Sequence, residues 1–150
     1  LTNLLKGNQV NAKVYYTNLD AVEANEGSQI SNESILKSIN FDIIAKEGAK
    51  INMELEVEKL TVKITSGAIV NTKGIAKNQD VLVSAGAIYE GKELITEQTV
   101  ISSNAGSEGV VFATESIDAK ARAGSDIVVY GNPKQITKKT FAGGHIKIVK

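Results

Sequence analysis

The stretch Ser84-Ala85-Gly86-Ala87-Ile88-Tyr89 contains the unit that decides the fold, a glycine between tiny residues with an apolar side chain three positions later. Glycines return in the same phase along the whole chain, at spacings of 18 to 21 residues, at positions 7, 27, 48, 67, 86, 106, 124 and 143. Such a period is typical of a repeat architecture. We therefore align the sequence as eight coils, numbered 1 to 8 from these marker glycines.

The neighbours of the marker glycines repeat as well. Three positions later stand Val10, Ile30, Ile51, Val70, Tyr89, Gly109, Ile127 and Ile146, and the residue directly after the marker is mostly Ala or Ser. Before the marker lie segments with apolar residues at every second position, such as Ile39-Phe41-Ile43 and Leu60-Val62-Ile64. Alternation of this kind predicts strands that bury one face and expose the other.

The repeat predicts an all-β fold, a single-stranded right-handed β-helix (β-solenoid) of about eight coils of 18–21 residues, forming one domain over residues 1–150. Coils stacked at about 4.8 Å would give a rod of roughly 35–40 Å. The small residues at each corner predict a narrow cross-section in which larger side chains would clash. A β-sandwich also offers many short alternating strands, but it gives no reason for glycines in constant phase.

Composition excludes several function classes. The 17 basic and 17 acidic residues balance, so the chain has no overall basic character for binding nucleic acid or anionic lipid. Cysteine is absent, which removes disulfides and thiolate sites. No apolar run reaches the ~20 residues of a membrane helix. The chain begins at Leu1, and we expect that a signal peptide was removed upstream of it.

The corners Ser84-Ala85-Gly86-Ala87 and Asn104-Ala105-Gly106-Ser107, followed by Tyr130-Gly131-Asn132-Pro133-Lys134, closely resemble the head GIN domain family of auto-transporter adhesins. The closing segment Ala142 to Ile148 resembles the end of that family's repeat, and the similarity is strongest over residues 60–150. The resemblance implies a β-helical fold, export to the cell envelope, an adhesive role and a source among the Bacteroidetes. It supplies no binding residues to carry over.

Residues with catalytic or metal-binding chemistry are few. His145 is the only histidine, and its alternation with Ile146 and Ile148 predicts a surface position. Asp80 and Asp118 lie in comparable strands, with Glu97 in a nearby turn, and polysaccharide-cleaving enzymes need two carboxyl groups on one face. These acids are interleaved with lysines, as on a solvated surface. We expect no catalytic site, no metal and no cofactor.

Function is therefore sought on the surface of the rod. Tyr15, Tyr16 and Tyr130 are candidate contact residues for an unknown glycan or protein at the cell surface, whereas Tyr89 is predicted to lie in the core. One alternative is a self-assembling scaffold that resembles the bactofilins and joins through its solenoid ends, although Lys147 and Lys150 would discourage such contacts. A polysaccharide-active enzyme is the less favoured alternative.

Overall fold

The computed structural model describes residues 10–150, which form ten β-strands and no α-helix. All strand pairs are parallel, and together they make one continuous sheet that winds into a β-solenoid of about seven turns. The strands are β1 (Ala21–Ala24), β2 (Gln29–Ser31), β3 (Leu36–Ala45), β4 (Lys50–Ile64), β5 (Ile69–Val83), β6 (Ile88–Ser103), β7 (Glu108–Arg122), β8 (Asp126–Tyr130), β9 (Gln135–Phe141) and β10 (His145–Ile148).

Every corner of the solenoid is a tight turn in which two successive residues have positive φ. In coil 5 these are Ala85 at 51° and Gly86 at 68°, and the amide of Ala87 donates to the carbonyl of Ser84. This is the geometry of a type I′ turn, which requires positive φ at both central positions. The marker amides also connect the coils, since Gly86 donates to the carbonyl of Ala105 and equivalent bonds join the other corners.

The marker glycines are required by backbone conformation, and the predicted crowding at these positions is wrong. A Cβ built on Gly86 would meet no atom within 4 Å, and the same holds for the markers from Gly27 to Gly124. Crowding applies instead to the residue that follows each marker, since Ala87 and its equivalents from Ala49 to Ser125 are buried. The residue before each marker, such as Ala85, is exposed and has positive φ, so burial explains the small residue after the glycine but not the one before it.

Each long strand contributes to two faces of the solenoid and bends between them. In β4 the alternation of exposed and buried residues runs from Lys50 to Val57, breaks at Glu58 and Lys59, and resumes at Leu60. We call the half after each corner face A (50–54, 69–73, 88–92, 108–112, 126–130 and 145–148) and the half before the next corner face B (40–45, 59–64, 78–83, 98–103, 116–122 and 135–141). Ile39 lies at such a bend and is exposed, so its predicted burial is wrong.

Register pairing places equivalent side chains in columns that run along the rod. The predicted apolar column is confirmed on the inner side of face A, where Ile51, Val70, Tyr89 and Ile127 are buried. Gly109 interrupts this column, and a Cβ there would lie 2.6 Å from Cδ1 of Ile101, which would have to move. The core is thus filled by layers of aliphatic side chains.

Coil 5 also carries a polar connection through the core. The hydroxyl of Tyr89 bonds to Thr72 Oγ1 at 2.7 Å and accepts a hydrogen bond from Gln79, while Thr99 donates to Gln79 Oε1. Thr72 belongs to face A and Gln79 to face B, so this network links the two inner faces. Burial raises the pKa of Tyr89 far above its ordinary value, and the residue is neutral throughout the physiological range.

The structure confirms the solenoid but has about seven turns where eight coils were predicted. Coil 8 contributes only β10, and the predicted start of coil 1 near Gly7 lies outside the described residues. Residues 10–20 are irregular and largely exposed. The strands β9 and β10 are the last at the C-terminal end, and every residue of β9 is exposed.

Candidate binding face

A polar groove runs along the outer side of face A in coils 3 to 5 and extends to Ser31, Asn32 and Glu33 of coil 2. Its floor contains a column in which Asn52, Asn71 and Glu90 stand one above another, and Nδ2 of Asn71 donates to Oδ1 of Asn52 at 2.6 Å. A second column places Lys73 beside Glu54, with 3.1 Å between Nζ and Oε2. Each register step displaces a polar group by about 4.8 Å, so the groove repeats its hydrogen-bonding groups at even spacing.

One wall of the groove is an excursion of the chain in coil 5. Gly91 pairs with Val111, but the next paired residue of β6 is Ile95, which pairs with Phe112. Residues 92–94 are therefore extra relative to coil 6. Bulges of this kind redirect side chains and are common beside functional sites. Here the excursion buries Leu94 and leaves Lys92 and Glu93 at the edge of the groove.

Beyond the excursion, face A becomes apolar and aromatic. Val110 and Val128 continue the column of Asn52, Asn71 and Glu90. Phe112 pairs with Tyr130 in the adjacent column. These four side chains are partly exposed. The ammonium of Lys92 lies 4.6 Å from the centroid of the Tyr130 ring, a cation–π contact that joins the groove to the aromatic end.

The groove is acidic where it meets this apolar end. Partial burial is the main cause that raises the pKa of Glu90, the neighbouring charge of Glu108 adds to it, and Lys92 opposes it. Glu90 thus brings a partly buried carboxylate to the groove, where its oxygens can accept a hydrogen bond from a ligand hydroxyl or ammonium group.

A second depression lies at the bend between the two faces. Ile75 and Ile95 are exposed there, at 58% and 49%, over a floor that includes Thr96. The charged residues around them are Glu56, Glu58, Lys77 and Glu97. This depression has exposed aliphatic groups but no aromatic side chain, so it offers less to a sugar ring than face A does.

The structure separates the candidate tyrosines. Tyr130 lies at the end of β8 in face A, whereas Tyr15 and Tyr16 lie in the irregular N-terminal segment and are both exposed, at 84% and 45%. Tyr89 is fully buried, which confirms its predicted core position. The sequence did not predict that Lys92 would contact Tyr130. The two residues lie in coils 5 and 7, on either side of coil 6, and nothing in the sequence near either one indicates that they meet.

The candidate catalytic residues do not assemble into a site. Asp80 and Asp118 share one outward column of face B, but Val100 lies between them and separates their backbones by about 10 Å. Asp118 is paired instead with Lys120 at 3.6 Å. Glu97 lies apart from that column, at the bend. Over the described residues, no three metal-ligating side chains come together.

His145 is exposed, as predicted from its alternation with Ile146. Its Nδ1 lies 3.3 Å from Oδ1 of Asp126, its register partner in β8. The sequence analysis did not identify Asp126 as a partner of His145, because the two residues are 19 positions apart. Both side chains are well exposed, so the pair contributes little to stability.

Residues 2–133 match the family described as "Putative auto-transporter adhesin, head GIN domain". The chain belongs to this family. The match reaches into the first coils, beyond the residues 60–150 on which the resemblance was drawn, and it ends before β9.

A solved structure shares the fold. It is titled as the crystal structure of a "putative adhesin" from Bacteroides fragilis NCTC 9343, with a TM-score of 0.83 and 24% sequence identity. The similarity covers 87% of this chain and 61% of that one, so the present chain spans well under the whole length of its neighbour. Among curated proteins, none matches the chain. Within residues 10–150, no helix has the length and apolar character needed to cross a membrane.

Proposed function

We propose that this head GIN domain is a non-catalytic binding module of the bacterial cell surface, and that face A holds a glycan. Family membership supports an adhesin-like role at the envelope. We choose face A because its polar groove is continuous with the Lys92–Tyr130 pair. Sugars present hydroxyl groups and apolar ring faces together, and this surface offers partners for both.

The repeat gives the groove a property that suits a polymer. Asn52, Asn71 and Glu90 present hydrogen-bonding groups in one line along the rod axis. A glycan chain lying along that axis would meet successive groups, and the binding free energies of these weak contacts would add. Because the sheet is already ordered by its ladders, binding requires little further ordering of the protein.

A scaffold that polymerises through its ends, as bactofilins do, receives less support. The C-terminal end carries a lysine at a core position (Lys138, which pairs with the buried Ala119). Stacking another coil on it would bury an ammonium group, which costs several kcal/mol unless it is paired. A polysaccharide-cleaving activity would need two carboxyl groups free to act on one face. Asp118 is instead paired with Lys120 at 3.6 Å, and Glu97 lies apart at the bend, so this alternative receives less support.

A glycan array tests the proposal with the wild-type chain and the double variant Lys92→Ala/Tyr130→Ala. We expect wild-type binding to a subset of glycans and a loss of about tenfold or more in the variant, because aromatic and cation–π contacts together contribute ~1–2 kcal/mol. Lys63→Ala is the matched control, since Lys63 is an exposed lysine of face B.

Binding to no glycan, or equal binding by all three proteins, would contradict the proposal. Selective binding to a surface protein with the same loss in the double variant would keep face A as the site and replace the ligand class. Circular dichroism and thermal unfolding of each variant would show that the solenoid remains intact.

A further inference from the structure

One outward column of the solenoid is apolar over four successive coils. Register pairing places four side chains one above another on the outside of coils 4 to 7: Ile75, Ile95, Phe112 and Tyr130. All four are at least partly exposed. We call them the apolar stripe, and three coil spacings give it a length of about 14 Å.

The apolar stripe connects the depression at the bend with the aromatic end of face A. Ile75 and Ile95 belong to that depression, and Ile95 pairs with Phe112 in the next coil. Coil 7 leaves room for the Phe112 ring, since a Cβ on Gly131 would lie 2.7 Å from Cε1 of Phe112. The ring therefore lies against Gly131, next to its register partner Tyr130. The exposed apolar groups of the bend and of face A thus form one line along the rod.

Polar side chains border the stripe. In coils 4 and 5 both sides are charged, because the residues two positions before and after each isoleucine also point outward: Lys73, Lys77, Glu93 and Glu97. In coils 6 and 7 Val110 and Val128 widen the stripe on the side of face A, and Thr114 borders it on the other side. The lysines supply hydrogen-bond donors and the glutamates supply acceptors.

The narrow width of the stripe indicates what can lie on it. Alternate residues along a strand are about 7 Å apart, so in coils 4 and 5 the stripe is one side chain wide between its charged borders. The apolar centre of a protein interface is depleted of lysine and glutamate, which makes this surface a poor protein interface. A sugar ring fits it better, since its C–H face is apolar and its hydroxyl groups donate and accept hydrogen bonds at the edges.

We propose that the apolar stripe holds an unbranched glycan whose sugar rings are joined by equatorial bonds. This inference rests on the proposed function and narrows its ligand class. Such glycans form extended ribbons, with the C–H groups of the rings on the two flat faces and the hydroxyl groups along both edges. One face would pack on the stripe, while the edges meet the lysines of coil 4 and the glutamates of coil 5. A chain joined by axial bonds coils, so only one or two of its rings would reach the stripe at once.

Isothermal titration calorimetry with series of oligosaccharides tests this ligand class. Cello-, xylo-, manno- and chito-oligosaccharides have equatorial linkages, and malto-oligosaccharides are the linkage control because they contain the same sugar as cello-oligosaccharides. We expect binding in at least one equatorially linked series and none to malto-oligosaccharides. Affinity should rise from the disaccharide until the oligosaccharide is about as long as the stripe, and then level off.

The double variant Ile75→Ser/Ile95→Ser tests the half of the stripe that lies outside face A. It leaves the cation–π pair of face A intact and should weaken binding of the hexasaccharide about tenfold, since each isoleucine exposes about half of its surface for burial. The control Leu82→Ser/Val100→Ser removes two exposed aliphatic side chains of face B from the same coils and should bind as the wild type does.

Three outcomes would overturn this inference while glycan binding still depends on Lys92 and Tyr130. They are binding to malto-oligosaccharides or branched glycans as tight as to the equatorially linked series, equal affinity for a disaccharide and a hexasaccharide, and equal binding by Ile75→Ser/Ile95→Ser and its control. Absence of binding to every glycan would contradict the proposed function itself, and this inference with it. A dimer in sedimentation velocity that Ile75→Ser/Ile95→Ser dissociates would assign the stripe to a second copy of the chain and would also overturn the inference.

Discussion

Two glycine-to-alanine substitutions separate the two physical reasons for glycine in this fold. Gly86 lies in the corner of coil 5 with φ of 68° and open space where a methyl group would lie, whereas Gly74 lies within β5 with φ of 113°. A Cβ on Gly74 would overlap the carbonyl oxygen of Leu55, its register partner in β4. Gly86→Ala therefore tests backbone conformation alone, and Gly74→Ala tests conformation and crowding together.

The expected costs differ severalfold. At Gly86 the left-handed conformation costs alanine about 1–2 kcal/mol, and the stiffer unfolded chain returns roughly 0.4–1 kcal/mol, so the net loss is about 1 kcal/mol. At Gly74 a sparsely populated φ costs about 1–3 kcal/mol, and overpacking against a hydrogen-bonded backbone adds about 1–3 kcal/mol. For a chain of this size, a loss of about 1 kcal/mol lowers Tm by roughly 2–4 °C, and the combined loss of about 2–6 kcal/mol at Gly74 lowers it by roughly 4–24 °C.

Thermal and urea unfolding, followed by circular dichroism, measure both variants against the wild type. We expect Gly74→Ala to be clearly the more destabilising of the two. If Gly86→Ala costs as much as Gly74→Ala, the corners are crowded after all, and our explanation of the marker glycines is refuted. A neutral Gly74→Ala would show that the bend of β5 relaxes freely.

Three further outcomes follow from named residues. Ala85→Asn should raise stability by up to about 1 kcal/mol in urea unfolding, because Asn accepts positive φ in type I′ turns better than Ala does; a loss would mean that Ala85 has a packing role. Tyr89→Phe should cost about 1–3 kcal/mol, since it leaves Gln79 and Thr72 with unsatisfied buried groups, and an unchanged midpoint would show that the network is dispensable. Glu90→Gln should raise Tm at pH 7 and have no effect below pH ~4, because the raised pKa of Glu90 means that folding disfavours its charged form; a gain that persists at low pH would rule out this electrostatic cause.

The fold could be predicted from sequence because the turn residues of the backbone and the buried residues of the core recur with the same period. A type I′ corner needs a left-handed residue such as Gly86, and the inner column needs an apolar residue at a constant distance such as Tyr89, so both signals recur in phase. The predicted crowding was wrong for the residues before the marker glycines, since Ala85 is small without being crowded. The bends were also missed, because Ile39 continues an alternation that the backbone breaks.

The candidate binding face was only partly predictable. Tyr130 was identified by residue type, but its partner Lys92 depends on the excursion at residues 92–94, which becomes visible only when coils 5 and 6 are paired. The significance of Lys138 depended on its register with Ala119, which places it at the end of a core column.

Tyrosine-specific labelling with and without a bound glycan tests the central claim, that face A is the binding surface. The four tyrosines report on separate regions: Tyr15 and Tyr16 on the N-terminal segment, Tyr130 on face A, and the buried Tyr89 on the integrity of the core. We expect the ligand to protect Tyr130, to leave Tyr15 and Tyr16 reactive, and to leave Tyr89 unlabelled throughout. Protection of Tyr15 and Tyr16 with unchanged labelling of Tyr130 would contradict the claim.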